Sequence, residues 1–178
     1  MTPVEYVQLK AFARQDGLLL AVLWIVSFAC YVYGVSNPLW SMMAIVLIVV
    51  TPFFAAKRLR KFRDEDRDGS ISLLRGWAYV AYMFFYASLL FALAQYVYFA
   101  FLDKGFLFAS LQSTIMSAEG QQMLTRYGMQ DAVDESLRTM QSMRPIDYVL
   151  NMLTMNIAAG FVLGVPIAAM MKKTKIEN

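Results

Sequence analysis

The residues best placed to do chemistry lie together in one charged stretch, Lys57 to Arg75 (KRLRKFRDEDRDGSISLLR). Within it, Asp64-Glu65-Asp66-Arg67-Asp68-Gly69-Ser70-Ile71 matches the opening of an EF-hand calcium loop, with acids at the first, third and fifth positions, Gly sixth and Ile eighth. Calcium needs convergent oxygens at those positions, and the Gly permits the sharp turn. The twelfth position, where a bidentate Glu closes the shell, is Arg75, which removes two ligand oxygens and repels the ion. The stretch therefore reads as an acidic turn that balances its neighbouring arginines and ends a helix, and no metal or other cofactor is expected. The chain has no histidine, and Cys30 is its only cysteine. Zinc, haem and iron–sulfur ligand sets, an intrachain disulfide and a nucleophile–histidine pair cannot be assembled from it.

The basic half of the stretch, Lys57, Arg58, Arg60, Lys61 and Arg63, has two readings. One is a topological anchor whose side chains snorkel to anionic lipid head groups. The other is a docking site for an anionic lipid or a cytosolic protein. Elsewhere the polar groups are uncharged. Ser27, Gln95 and Asn156 fall at a similar depth in three apolar runs, about 10–12 Å from one boundary at 1.5 Å per residue. They are expected to form an interhelical polar layer. Asn156, Gly160, Gly164 and Ala168 recur every four residues, a small-residue stripe that lets a second helix approach closely. Packing inside a bundle is the expected use.

The elements that would hold these residues follow from composition. The chain has 178 residues, 59% of them hydrophobic and only 16% charged, where a soluble domain carries about a quarter charged residues. Four apolar runs are long enough to cross a bilayer, at about 17–35, 39–56, 77–102 and 149–171. None contains Asp, Glu, Lys or Arg, which argues against an ion-coupled transporter or an intramembrane hydrolase. Thr2-Pro3-Val4-Glu5 resembles a helix start with a capping box, and Tyr6 to Gln15 reads as a short interfacial helix leading into the first span. Ser27-Phe28-Ala29-Cys30 faintly resembles a lipoprotein cleavage box, but Tyr31-Val32-Tyr33 continues the apolar run where a lipoprotein turns polar. Ser36-Asn37-Pro38 is a tight turn, and 57–76 is expected as a basic loop. Residues 103–145 are too polar to span and are expected as a helical cap. In it Ser117 to Tyr127 ends at Gly128, and Gln130 to Met143 places Val133, Leu137 and Met140 on one face. Pro166 is expected to loosen the last span, and the aromatics of the third, Tyr79 and Tyr82 among them, to serve packing and lipid contact.

Basic residues orient the spans. With four of them, Lys10, Arg14, the seven cations of the charged stretch, and Lys172, Lys173 and Lys175 share one side, twelve against four in the cap. The positive-inside rule then places both termini in the cytoplasm.

Phe62-Arg63-Asp64 with its acidic Gly turn, and Ser70-Ile71-Ser72 opening an aromatic third span, resemble a family of Bacteroidota membrane proteins catalogued as domain of unknown function 4199. The family likewise follows its third span with a polar helical excursion and a last span with a Lys-rich end, here Ser117 to Met143 and Val149 to Lys175. It often has Gly and Tyr before the Ile-Ser pair and Phe-Gly after it, where this chain has Ser70 and Leu73-Leu74. The resemblance implies four spans and an inner-membrane location, and brings no catalytic residue with it.

The fold expected is an all-α membrane protein of four transmembrane helices with an extracytoplasmic helical excursion between the third and fourth. Its expected role is a non-enzymatic accessory or structural subunit, in contact with anionic lipid head groups and open to a protein partner or to self-association, but not to nucleic acid. Two other readings stand beside it. One is a scaffold that recruits a cytosolic glycosyltransferase to lipid-linked substrate. The other is a small oligomeric channel or a lipid or solute transporter.

Overall fold

The computed structural model describes residues 3–173, so the expected cap at Thr2 and the terminal Lys175 lie outside the described residues. Seven α-helices follow in order: α1 Pro3–Gly34, α2 Pro38–Asp66, α3 Leu73–Val97, α4 Phe106–Met116, α5 Ala118–Tyr127, α6 Gln130–Ser142 and α7 Pro145–Met171, with a π-helical turn, Tyr98–Leu102, extending α3. α1, α2, α3 with its extension, and α7 are long and apolar enough to cross a membrane. The protein is thus all-α, with the make-up of a multi-pass membrane protein.

Two boundaries differ from the sequence reading. α1 is one unbroken helix through Tyr6 to Gln15, not an interfacial helix followed by a span. Nothing in that stretch breaks a helix, and one buried stripe runs through it: Leu9, Ala13, Asp16, Gly17, Leu20, Ala21 and Trp24. α2 likewise continues through the basic segment to Asp66 and α3 begins at Leu73, so most of the expected loop 57–76 is helix. Lys, Arg, Leu and Phe sustain a helix there, and the pairs Arg60–Asp64 and Lys61–Glu65 bridge successive turns at 3.6 Å. The chain reverses only around Asp68 and Gly69, which take left-handed φ values of 50° and 74°. At the other end of α2, Asn37 accepts the Leu39 N–H at 3.0 Å as N-cap, with Pro38 at the first helical position.

The chain folds as two compact units. The first takes residues up to Ala94 together with those from Asn151 onward, and so holds α1, α2, most of α3 and most of α7. Its core joins Leu9, Leu20 and Trp24 of α1, Leu59 and Phe62 of α2, Tyr79, Val80, Met83 and Phe84 of α3, and Ile167 and Ala168 of α7. The stripe on α7 packs inside this unit: a Cβ at Gly160 would lie 2.3 Å from Cβ of Phe84, and one at Gly164 3.1 Å from Cδ1 of Trp77. Ala168 stands against Gly76. Away from the core, α2 exposes Leu39, Met42, Ile45, Ile48, Val49 and Phe53, side chains suited to acyl chains.

The second unit spans Gln95–Leu150. Its helix boundaries follow the sequence reading for α5 and α6. Ser117 caps α5 by accepting the Gly120 N–H at 3.1 Å, and Gly128 ends it at φ 62°. Leu137 on α6 is buried and Val133 and Met140 are half-buried. α4 was not anticipated. It begins after Asp103, whose buried carboxylate accepts the N–H groups of Gly105 and Leu107, each at 3.1 Å.

Candidate functional site

The charged residues of the first unit gather where the ends of α1, α2, α3 and α7 meet, and they form three layers. The innermost is a buried carboxylate. Asp16 sits on the core stripe of α1, 5% exposed. Arg58 of α2 donates to its Oδ1, and the Tyr79 hydroxyl of α3 donates to its Oδ2. Phe62 stacks on Tyr79 with ring centroids 4.8 Å apart and planes 15° apart, and Phe12 packs on Phe62 at 5.4 Å. Three helices are thereby joined through one carboxyl group. An unpaired carboxylate in such a place is strongly unfavourable, so pairing with a guanidinium and a phenol makes its burial tolerable.

The second layer holds the first turn of α1. Glu5 accepts from Arg67 Nη1 at 3.0 Å and from Arg75 Nη2 at 2.9 Å. Two cations share this carboxylate, and Nε and Nη2 of Arg67 are buried with no partner among the described residues. The third layer closes the end of α7. Arg63 Nη1 donates to the Met171 carbonyl at 2.9 Å, satisfying a helix-end acceptor. Ile71 and Lys173 exchange backbone hydrogen bonds of 2.9 and 3.2 Å, an isolated antiparallel bridge.

The five cations expected to dock a ligand therefore separate into two groups. Arg58 and Arg63 face inward and are committed to Asp16 and to the Met171 carbonyl with Asp64. Lys57, Arg60 and Lys61 lie on the exposed face. Helical spacing accounts for the division. Thr51, Ala55, Leu59 and Phe62 are the buried residues of α2 there, and Arg58 lies on their side while Lys57, Arg60 and Lys61 do not. The acidic turn does not converge on a cation site: Asp64 is held by Arg63 and Arg60, and Arg75 by Glu5. Among the described residues no group of three or more Cys, Asp or Glu side chains could hold a metal ion.

Of the expected polar layer, Ser27 donates to the Ala44 carbonyl of α2 at 3.0 Å, and Asn156 lies half-buried on α7. Gln95 belongs to the second unit, where its Oε1 is buried with no partner among the described residues. A further cross-helix bond, Trp24 Nε1–H to Thr51 Oγ1 at 3.1 Å, occupies the hydroxyl just before Pro52.

Sequence reasoning missed Asp16 and Glu5 as partners of the arginines, and Tyr79 as a second donor to Asp16. Asp16 was legible in principle, since the 3.6-residue period of Leu9, Ala13, Leu20 and Trp24 passes through it. Nothing local marked the Tyr79 hydroxyl, one of ten tyrosines in an aromatic chain.

Residues 15–173 fit the model of DUF4199, a family described as proteins of unknown function, and the chain belongs to that family. No curated protein and no solved structure matches significantly.

Proposed function

We propose that this multi-pass membrane protein is a non-enzymatic accessory or structural subunit, held in a bacterial inner membrane with both termini and the charged hub on the cytoplasmic side. The observation that carries the reading is the state of Asp16. Both of its oxygens are engaged, by Arg58 and Tyr79, within a packed core. A general base needs reach to a substrate proton, and this carboxylate serves instead to bolt three helices together. Glu5, Arg67, Arg75 and Arg63 extend the same fastening outward. Arginine suits such work because its planar fork stays charged and holds two acceptors in fixed geometry.

The test is gentle purification from the native membrane followed by identification of co-purifying proteins. A stable partner recovered in fixed proportion supports a subunit role. A homogeneous preparation that turns over a small molecule without a partner overturns it.

One observation favours a second reading, a scaffold for a cytosolic enzyme such as a glycosyltransferase. Lys57, Arg60 and Lys61 share the exposed face of α2 just beyond its apolar run. Recruitment through that face predicts loss of the enzyme when all three become Gln, with the fold intact. Retention of the enzyme by the triple variant refutes this reading.

A further inference from the structure

At the hub end of the first unit a groove of about 170 Å³ is lined by Leu73, Leu74 and Trp77 of α3 and Val165 of α7. Its apolar character is built in. The single polar atom of the Trp77 side chain is spent, because Nε1–H donates to the Phe161 carbonyl at 3.0 Å. The indole therefore offers carbon to the groove. Leu74 and Val165 are 72% and 52% exposed, and the apolar surface continues along α7 through Val162, 70% exposed. It runs along the helix axis, as a stretched acyl chain would.

The polar end of the groove is positioned by the backbone. The bridge between Ile71 and Lys173 pins the end of α7 beside the residues that lead into Leu73. The Lys172 N–H donates to the Ala168 carbonyl at 2.8 Å, which keeps Lys172 in helical register. Seven residues after Val165, it lies on the same face of α7, about 10 Å nearer the end. Lys172 and Lys173 are both exposed. No acidic residue occurs in the sequence from Tyr148 to Lys173 or from Gly69 to Trp77, and Arg75 is taken by Glu5. Two lysines therefore close the end of α7 beyond the groove, with no carboxylate in either segment of the bridge; Asp64 approaches this end only through Arg63, which holds it.

We propose that this groove binds an anionic phospholipid, with one acyl chain against Leu73, Leu74, Trp77 and Val165 and the head group at Lys172 and Lys173. Long flexible lysines at a helix end reach head groups while their stems stay on apolar surface. A net negative head group is selected because a zwitterionic one brings its own cation to the lysines. Each lysine contributes roughly a five-fold preference near such a charge. The inference rests on the membrane reading, and the experiment separates the two.

A single-tryptophan protein (Trp24→Phe with Trp40→Phe) is reconstituted into vesicles that carry brominated phosphatidylglycerol or brominated phosphatidylcholine in an unbrominated phosphatidylcholine background. Quenching of Trp77 reads occupancy of the groove. The expected result is several-fold stronger quenching by the glycerol lipid, a preference lost in Lys172→Gln with Lys173→Gln. Val165→Phe, which fills the groove, reduces quenching by either lipid. Equal quenching by both lipids, or a preference that survives the double lysine variant, overturns the proposal but leaves the membrane reading standing. Absence of quenching by either lipid overturns both. As a check that does not depend on replacing Trp24, intact mass spectrometry of the wild-type protein in mild detergent should retain added phosphatidylglycerol over phosphatidylcholine. The Lys172→Gln, Lys173→Gln variant should retain the two equally.

Discussion

The two polar regions of this chain spend their side-chain hydrogen bonds in opposite ways. In the hub, ionic and polar side chains close over long stretches of sequence: Arg58 meets Asp16 across 42 residues, Arg67 meets Glu5 across 62, Arg75 meets Glu5 across 70, and Arg63 meets Met171 across 108. In α4 to α6 the side-chain hydrogen bonds are local. Ser113 and Thr114 both return to the Ser110 carbonyl, Thr125 to Gln121, Gln130 to Thr125, Ser136 to Ala132 and Thr139 to Glu135, all three to five residues apart. The three helices contain one buried residue, Leu137. Polar groups in the hub are therefore tertiary fasteners, whereas those of the cap mend the helices they sit on or join one helix to the next in sequence. Local unfolding should follow the same division, with cap amides exchanging ahead of those around Asp16.

The sharpest way to break this comparison is to remove one fastener. Arg58→Ala leaves Asp16 buried beside Tyr79 alone, and loss of one partner of a buried pair costs about 3–5 kcal/mol. Unfolding in detergent should show it, while Arg138→Ala on the exposed face of α6 stays within about 0.5 kcal/mol of wild type. Equal effects of the two would erase the distinction. Leu137→Ala comes next, at about 2 kcal/mol, and its effect should be confined to faster hydrogen exchange in the cap. Glu5→Gln removes the charge that Arg67 and Arg75 share, at about 1.5 kcal/mol for hydrogen bonds to an ionised group. Its signature is earlier proteolysis at the start of α1. Lys57→Gln is the smallest, within about 0.5 kcal/mol, because its exposed side chain is placed to face other molecules and not the core.

Much of the architecture was legible from composition and period. Four apolar runs without an ionised residue admit few folds other than long helices in contact with lipid, since backbone groups there must be satisfied within each segment. The stripe of Gly160, Gly164 and Ala168 was legible as a packing surface, and Phe84, Trp77 and Gly76 occupy it. Asn37, Ser117 and Gly128 marked helix ends because capping chemistry is local. The division of the basic run was less legible. Five cations within seven residues read as one patch until the buried side of α2 is known, and that side depends on what α1 and α3 present to it.

The sequence by itself determined that this chain is made of long apolar helices around one basic, acidic-turned connector, because hydrophobic length and helix capping are properties of contiguous residues. The pairing of Asp16 with Arg58 and Tyr79, and of Glu5 with Arg67 and Arg75, was decided only in three dimensions. A carboxylate chooses its cation by distance across packed helices, and no spacing along the chain encodes that distance. Once the four helix ends met, the inward arginines were neutralised by their neighbours, leaving Lys57, Arg60 and Lys61 on one face and Lys172 and Lys173 beside the groove.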